Sequence, residues 1–184
     1  MPRFFHSLSS LRQYLSEFRL QRPLTQCPHC QRSEHLIVHD TVHKKACGGR
    51  SLIVGRRLFC SNRGQRKGCG RTLRLSLANR IPSLFYSTQA VCLFLLALME
   101  SLSIHKAYEK ATGQAQTRNA FRWLHRLEQH AADYRSRGQP TSGSPFQHSN
   151  NRRTHLIQSL TSFLTTPSKD ICQRYQLRFQ IQFM

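Results

Sequence analysis

The expected fold follows from two short stretches, CPHC at residues 27–30 and CSNRGQRKGC at residues 60–69. The first places two cysteines with two residues between them, a spacing that lets one tight turn present two thiolates to a metal ion. The second places Cys60 and Cys69 with eight residues between them, most of them basic, glycine or amide residues. A four-thiolate site therefore requires the chain between the two pairs to bring them together.

The segment between the two pairs has the pattern of a β-hairpin. Residues 35–43 and 51–59 are rich in β-forming residues and flank a glycine-rich connection at residues 44–50. Two strands that run out and back would bring both cysteine pairs to the base of the hairpin. Such an arrangement would be a zinc ribbon, with one structural Zn²⁺ per chain bound by four thiolates that leave no coordination position open for catalysis. The predicted ligands are Cys27, Cys30, Cys60 and Cys69.

Other ligand sets remain open at this point. Cys47 follows Cys30 at a spacing common in zinc sites, so Cys47 or a histidine could replace one of the four ligands. The cysteines could also be unliganded thiols. Cys92 lies in the apolar run AVCLFLLALM, residues 90–99, and is expected to be a small buried side chain. Cys172 receives no role.

Charge indicates the class of partner. The chain has 28 Lys and Arg against 8 Asp and Glu, a formal net charge of +20, and residues 27–80 carry twelve of these bases and two of the acids. So large an excess favours a polyanion, usually nucleic acid. The longest apolar run, residues 90–99, is too short to cross a bilayer, and the N-terminus has no secretory h-region. No membrane partner and a cytoplasmic, nucleoid-associated location are therefore expected. The basic residues expected to contact DNA beside the metal are Arg63, Arg66, Lys67 and Arg71.

A second candidate DNA contact lies in the helical segment. Apolar spacing predicts helices over residues 87–99, 103–111 and 115–132, with Gly113 as the break between the last two, and this arrangement is typical of a helix-turn-helix. The start of the last helix carries side chains of the types that reach base edges and phosphates. An ordinary helix pair with a solvated basic face is the alternative. The predicted contacts are Gln116, Thr117, Arg118, Asn119, Arg122 and Arg126.

At this point the chain resembles a known family. The order of CPHC, a hairpin, RRLFC, GCGRT, an apolar helix and a helix-turn-helix ending in RWLHRL is similar to the N-terminal region of insertion-sequence (InsA-like) transposases and small transposon-associated DNA-binding proteins. The resemblance covers about residues 24–130. It implies zinc binding by the same four cysteines and binding to DNA, including the ends of a mobile element. One difference is that eight residues separate Cys60 from Cys69, where that family usually has two.

The sequence thus predicts a small α+β fold: a zinc ribbon followed by a helix-turn-helix segment, with a short C-terminal helix and strand. The strand, residues 173–183, alternates apolar and polar side chains and would need to be covered. It would add to the ribbon hairpin, pair with a second copy of the chain or dock on another protein, and we expect a protein partner to bind through residues 170–184, or a homodimer. The expected parts are an N-terminal helix (1–23, helical over 7–21), the ribbon (24–80), the helix-turn-helix (81–134), a linker (135–151) and a docking segment (152–184, with a helix over 153–164).

The predicted function is binding and not catalysis. Strand transfer needs three carboxylates that hold two metal ions, and the chain has eight acids, of which only Asp170 follows the helix-turn-helix segment. We therefore expect a sequence-specific or element-end DNA-binding protein, an accessory or targeting factor of a mobile element that is not itself an enzyme. The alternatives are an RNA-binding or ribonucleoprotein-associated zinc-ribbon protein and a transcriptional regulator.

Overall fold

The computed structural model describes residues 1–45, 50–82, 84–137 and 170–184. It is a small α+β fold, as the sequence predicts. The chain forms two compact units. The first contains Met1–Phe85 and Tyr175–Ile181, and the second contains Tyr86–Arg174 and Gln182–Met184. Two expected features, the helix over 153–164 and most of the linker over 135–151, lie outside the described residues, as does Cys47.

The first unit is built on a mixed sheet. Its strands are β1 (Phe4–Phe5), β2 (Leu36–Lys45), β3 (Ser51–Cys60) and β4 (Thr72–Leu77), in the spatial order β1-β4-β3-β2. Strand β1 runs parallel to β4, whereas the other pairs are antiparallel. The predicted strand pair over 35–43 and 51–59 is confirmed. The sequence reading missed β1 and β4, although the alternating leucines of TLRLSL in β4 carry a period-2 signal.

Helix α1 (Leu8–Gln21) covers one face of this sheet, as expected for residues 7–21. Ser7 caps it: the Ser7 hydroxyl accepts from the Ser10 amide, and the Ser10 hydroxyl accepts from the Ser7 amide. The helical spacing of three apolar residues turns them toward the sheet, where they join a core with leucines of β2, β3 and β4. These residues are Leu11, Leu15 and Phe18. A 3₁₀ turn, Arg22–Leu24, follows the helix.

The two faces of the sheet differ in character. The inner face, which packs on α1, includes Leu58, Leu73 and Leu75, and all three are buried. Because side chains alternate along a strand, Arg57 and Arg74 lie on the opposite, outer face. The outer face therefore carries one arginine from each of β3 and β4, opposite each other in the register.

The second unit is helical and contains α2 (Thr88–Met99), α3 (Ile104–Thr112), α4 (Arg118–Gln129) and α5 (Ala131–Arg137). Its core is an aromatic cluster around Trp123, whose ring lies 5.1, 5.5 and 5.3 Å from the rings of Tyr86, Phe94 and Tyr108. The predicted helix over 115–132 is shorter: α4 begins at Arg118, and the chain interrupts the helix at His130 before α5. Cys92 is buried as expected, and its Sγ lies 3.1 Å from that of Cys172.

The predicted C-terminal strand over 173–183 is wrong, because this segment forms a helix, α6 (Ile171–Phe179). The buried positions recur with a helical period: Ile171, Cys172, Tyr175 and Gln176. Gln176 belongs to the polar row of the expected strand, yet its Nε2 donates to the carbonyls of Ala78 and Arg80, at 2.8 and 3.0 Å. These long-range hydrogen bonds stabilise the helical conformation, although the alternation of apolar and polar residues favours a strand.

The same correction removes one reason to expect a partner at residues 170–184. Tyr175 and Phe183, which would have formed an exposed apolar row, are 3% and 1% exposed in the chain itself. Binding of a protein partner at this segment, or formation of a homodimer, stays a prediction, but an exposed apolar row no longer supports it. Within the described ranges, no helix has both the length and the apolar character needed to cross a bilayer.

Candidate metal centre

Four cysteines from three separate places in the chain converge at the base of the β2–β3 pair. The Sγ atoms of Cys27 and Cys69 are 3.8 Å apart, those of Cys30 and Cys60 are 3.7 Å apart, and one ligand atom from each residue lies within 4.8 Å of all the others. Four sulfurs around a tetrahedral ion at a Zn–S distance of about 2.3 Å would be about 3.8 Å apart. A disulfide needs about 2.05 Å. The spacing therefore fits one metal ion and not two disulfides.

The predicted ligand set is the group that the fold brings together. In the part of the chain that the structure describes, no other group of three or more cysteine, histidine or acidic side chains converges in this way. Cys27 and Cys60 are buried at 1% and 0% exposure, and Cys30 and Cys69 are half-buried. The cluster thus lies at the edge of the core, where bound metal would join the two turns to the sheet.

The two cysteine turns share one backbone pattern. In the first, the Gln31 amide donates to the Cys27 carbonyl at 2.8 Å, and the Cys27 amide donates to the Arg32 carbonyl at 2.9 Å. In the second, the Gly70 amide donates to the Cys60 carbonyl and the Cys60 amide donates to the Arg71 carbonyl, both at 2.9 Å. The residue after the last cysteine is left-handed in both turns, with φ of 59° at Gln31 and 71° at Gly70. The second pair therefore forms the same turn as CPHC.

The extra residues between Cys60 and Cys69 leave this turn as a separate loop. The Gly68 amide donates to the Ser61 carbonyl at 2.9 Å, which closes residues 62–67 at their base. Only Ser61 and Gly68 then remain between the two cysteines in the turn, as Pro28 and His29 do in the first. Gly68 has no room for a side chain, because a Cβ atom there would lie 2.3 Å from the Ser61 oxygen and 2.8 Å from the Cys60 Sγ.

This closure predicts that the loop and the metal centre can be separated. We expect deletion of residues 62–67 to leave the metal content unchanged, because the two backbone hydrogen bonds that the turn shares with CPHC, from Gly70 to Cys60 and from Cys60 to Arg71, lie outside the deleted segment. Gly68→Val is the contrasting variant and should lose metal, since its side chain meets Ser61 and Cys60. Metal analysis of the purified proteins checks both. Loss of metal in the deletion and retention in Gly68→Val would show that the closure has been misassigned.

The surroundings of the thiols favour the ionised form of Cys30 and oppose ionisation of Cys60. The backbone amide of Arg32 lowers the pKa of Cys30 to about 7, whereas burial raises the pKa of Cys60 to about 12. The Cys69 amide donates to the Cys60 Sγ at 3.3 Å, an interaction that favours the thiolate. Binding of a metal ion must therefore displace protons, at least from Cys60.

The basic residues predicted to bind DNA beside the cysteines are exposed to different degrees. Arg63, Lys67 and Arg71 are exposed, and Arg66 is half-buried. The Arg63 guanidinium lies 5.8 Å from the centre of the Phe59 ring, and the Lys67 carbonyl accepts a hydrogen bond from Arg32. The loop thus leaves the Arg63 and Lys67 side chains exposed to solvent. The sequence reading did not recognise the roles of Gly68 and Gly70, although the GCG triplet was a visible signal.

The residues predicted to bind DNA from the helices are in the second unit. Gly113 ends α3 in the left-handed conformation, with φ of 70°, and its amide donates to the Glu109 carbonyl at 2.7 Å. Helix α4 buries Ala120, Trp123 and Leu127. The opposite side and the preceding turn are accessible: Gln116, Arg118 and Arg122 are exposed, whereas Thr117, Asn119 and Arg126 are half-buried.

Comparisons of the chain with protein-family models, curated protein sequences and solved structures give no significant match. The fold and the site by themselves define a small α+β chain with a candidate four-cysteine metal centre.

Proposed function

We propose that this chain is a DNA-binding protein with a structural zinc ribbon, acting as an accessory or targeting factor of a mobile element. The observation that carries the proposal is the convergence of Cys27, Cys30, Cys60 and Cys69 beside a loop in which Arg63 and Lys67 are exposed. The proposal gives the chain a binding role and leaves any strand-transfer chemistry to another protein.

Zinc is the proposed ion because of the donor atoms and their spacing. Soft thiolate ligands select zinc, copper(I) and iron–sulfur clusters, and tetrahedral sets of four thiolates are typical of structural zinc. The sulfur distances of 3.7 and 3.8 Å fit a single tetrahedral ion. Four protein ligands would leave no position for water, so the ion would stabilise the fold and take no part in a reaction.

A helix-turn-helix formed by α3 and α4 is the proposed sequence reader. Support comes from the left-handed stop at Gly113, the shared aromatic core with Tyr108 and Trp123, and the exposed Arg118 and Arg122 on the other side of α4. A recognition helix places residues of its N-terminal part against base edges in the major groove. The loop residues Arg63, Arg66 and Lys67 would add contacts to the phosphate backbone that do not depend on sequence.

The experiment that tests the proposed function compares nucleic acids in a salt series. Duplex DNA and double-stranded RNA of the same length, and a structured RNA, are titrated with the zinc-loaded protein. We expect tightest binding to duplex DNA, with an affinity that falls by a slope of about 0.9 for each phosphate contacted. Equal or tighter binding to RNA would replace this proposal with the ribonucleoprotein alternative.

A separate experiment tests whether α4 recognises the DNA base sequence. We expect Arg118→Ala to weaken binding to a site selected from random duplexes by about 1–3 kcal/mol, with a smaller loss on unrelated DNA. The control is Lys110→Ala, which removes one cation from α3, where Glu100 already pairs with it at 2.8 Å. Binding isotherms on both duplexes give the difference. Equal losses on the two duplexes for Arg118→Ala would limit Arg118 to phosphate contact.

The mobile-element role draws its support from the resemblance of the cysteine and helical motifs to insertion-sequence proteins. It predicts that the selected site matches the terminal repeats of an element that neighbours the coding gene. A selected site found upstream of unrelated genes would instead favour a transcriptional regulator.

A further inference from the structure

The outer face of the sheet holds cations directly opposite one another. The Cα atoms of Arg57 and Arg74 are partners in the β3–β4 register, and those of Asp40 and Arg57 are partners in the β2–β3 register. The Arg57 guanidinium is 3.2 Å from the Asp40 carboxylate. One acid thus stands beside two arginines across three strands, and like charges directly opposite each other destabilise a sheet.

Arg74 is poorly accommodated in the free protein. It is half-buried, and its Nε is buried with no hydrogen-bond partner. Burial, and then the neighbouring Arg57, lower the pKa of Arg74. Among the described residues no acid pairs with Arg74, and a partly buried charge without a partner is destabilising, so an anion that binds there would remove part of that cost.

Lys44 extends the same cluster. Burial, and then repulsion from Arg80 and from Arg74, lower the pKa of Lys44 to about 8. Of the ion pairs between described residues, only that of Asp40 with Arg57 reaches this surface. Among the described residues, ion pairing therefore reaches Arg57 and not Lys44, Arg74 or Arg80, and none of the four was singled out by its pattern in the sequence.

The cluster is continuous with the loop beside the metal centre. Phe59 alternates with Leu58 and therefore lies on the outer face, and the Arg63 guanidinium lies over its ring at 5.8 Å. The basic surface thus runs along the outer face from Arg63 toward Arg57 and Arg74. A run of cations suits a ligand with repeated negative charges better than a single small anion.

We propose that the outer face of the sheet, through Lys44, Arg57, Arg74 and Arg80, binds consecutive phosphates of a nucleic-acid backbone. The inference rests on the proposed function for the identity of the polyanion. Planar guanidinium groups bind phosphate oxygens through two parallel hydrogen bonds, and a bound phosphate would give Arg74 the anionic partner that it lacks. These contacts hold the chain on the duplex and carry no sequence information.

Neighbouring residues of the sheet supply a matched control. Arg56 precedes Arg57 on β3 and points to the inner face, where it lines a groove with Arg12 and Arg19 of α1. Arg56→Met and Arg74→Met each remove one positive charge from the chain and keep an aliphatic stem. A difference between them therefore reports local contact and not net charge.

The test measures binding of a random-sequence duplex to the full zinc-loaded chain. We expect Arg74→Met to lower the salt slope by about 0.9 and to weaken binding about fivefold at 0.15 M salt, the effect of one phosphate contact. Arg56→Met should change affinity less than twofold. Losses of the same size in both variants would overturn the proposal. If Arg74→Met does not fold, Lys44→Met is measured against the same control. A salt slope of Lys44→Met equal to that of the wild-type protein would also contradict the proposal.

A second readout separates this site from the proposed function. Tripolyphosphate should raise the Tm of the wild-type protein and of Arg56→Met, but raise that of Arg74→Met at most half as much, because a ligand stabilises only the protein that binds it. This pattern without duplex binding would support the phosphate site and contradict the DNA-binding function. If Arg74→Met and Arg56→Met bind the duplex with equal affinity and tripolyphosphate raises their Tm equally, the result would support the DNA-binding function and contradict the phosphate site.

Discussion

Replacing Cys60 with serine is expected to abolish metal binding and to unfold the unit that contains the sheet. Cys60 is fully buried and belongs to the core, and its Sγ lies 3.7 Å from the Cys30 Sγ within the cluster of four cysteines. A structural zinc ion bound by cysteines contributes about 10–16 kcal/mol in small domains, whereas whole domains are stable by about 5–15 kcal/mol. Loss of one ligand should therefore remove most of the stability. Metal analysis and far-UV circular dichroism measure both effects.

Two other cysteine variants define what this result means. Cys92→Ser changes a buried thiol that lies outside the cluster and should keep its metal. Cys47→Ser tests the alternative ligand that the sequence left open. A protein that loses metal on Cys47→Ser but keeps it on Cys69→Ser would contradict the ligand set Cys27, Cys30, Cys60 and Cys69.

The same site should release its metal in acid. Metal-bound thiolates are unprotonated, whereas burial raises the pKa of the metal-free Cys60 thiol to about 12. Binding therefore releases a proton from Cys60 at neutral pH, and the apparent metal affinity falls as the pH is lowered. Proton release on adding zinc to the apo-protein, followed with an indicator dye, provides the direct measurement.

The second large effect is expected in the helical unit. Trp123→Ala should destabilise the fold by about 3–5 kcal/mol, because it removes a large buried side chain and leaves a cavity. The Trp123 ring is 2% exposed and contacts Tyr86, Phe94 and Tyr108. The free energies of unfolding of the wild-type protein and Trp123→Ala are compared by denaturant titration, followed by far-UV circular dichroism.

Phe121→Ala is the matched control, since this aromatic residue stands two positions earlier on α4 and is 50% exposed. We expect it to change stability by less than about 1 kcal/mol, as surface substitutions usually do. Equal destabilisation by the two variants would mean that the helix is oriented differently from the structure. A weakened DNA contact in Phe121→Ala with unchanged stability would place that ring on the proposed interface.

Local patterns were enough to predict several parts of this protein. The cysteine pairs and the β-rich segments at residues 35–43 and 51–59 identified the four cysteines that converge and the two strands that bring them together. Helical spacing identified α1 to α4 to within a few residues. These features depend on interactions between near neighbours in the chain, so their signals are contained in short windows of sequence.

Only the tertiary structure decided the rest, because the deciding contacts join residues far apart in sequence. The carboxamide of Gln180 accepts from the amides of Arg3 and Phe4, at 2.7 and 2.8 Å, and Gln176 donates to Ala78 and Arg80; these bonds favour a helix where alternation predicted a strand. The Ser61–Gly68 hydrogen bond converts an eight-residue gap into a two-residue turn with a loop. Strand register alone sets Arg57 opposite Arg74. No local window contains these pairings, since the free energy of each depends on which distant backbone groups and charges the fold brings within contact distance.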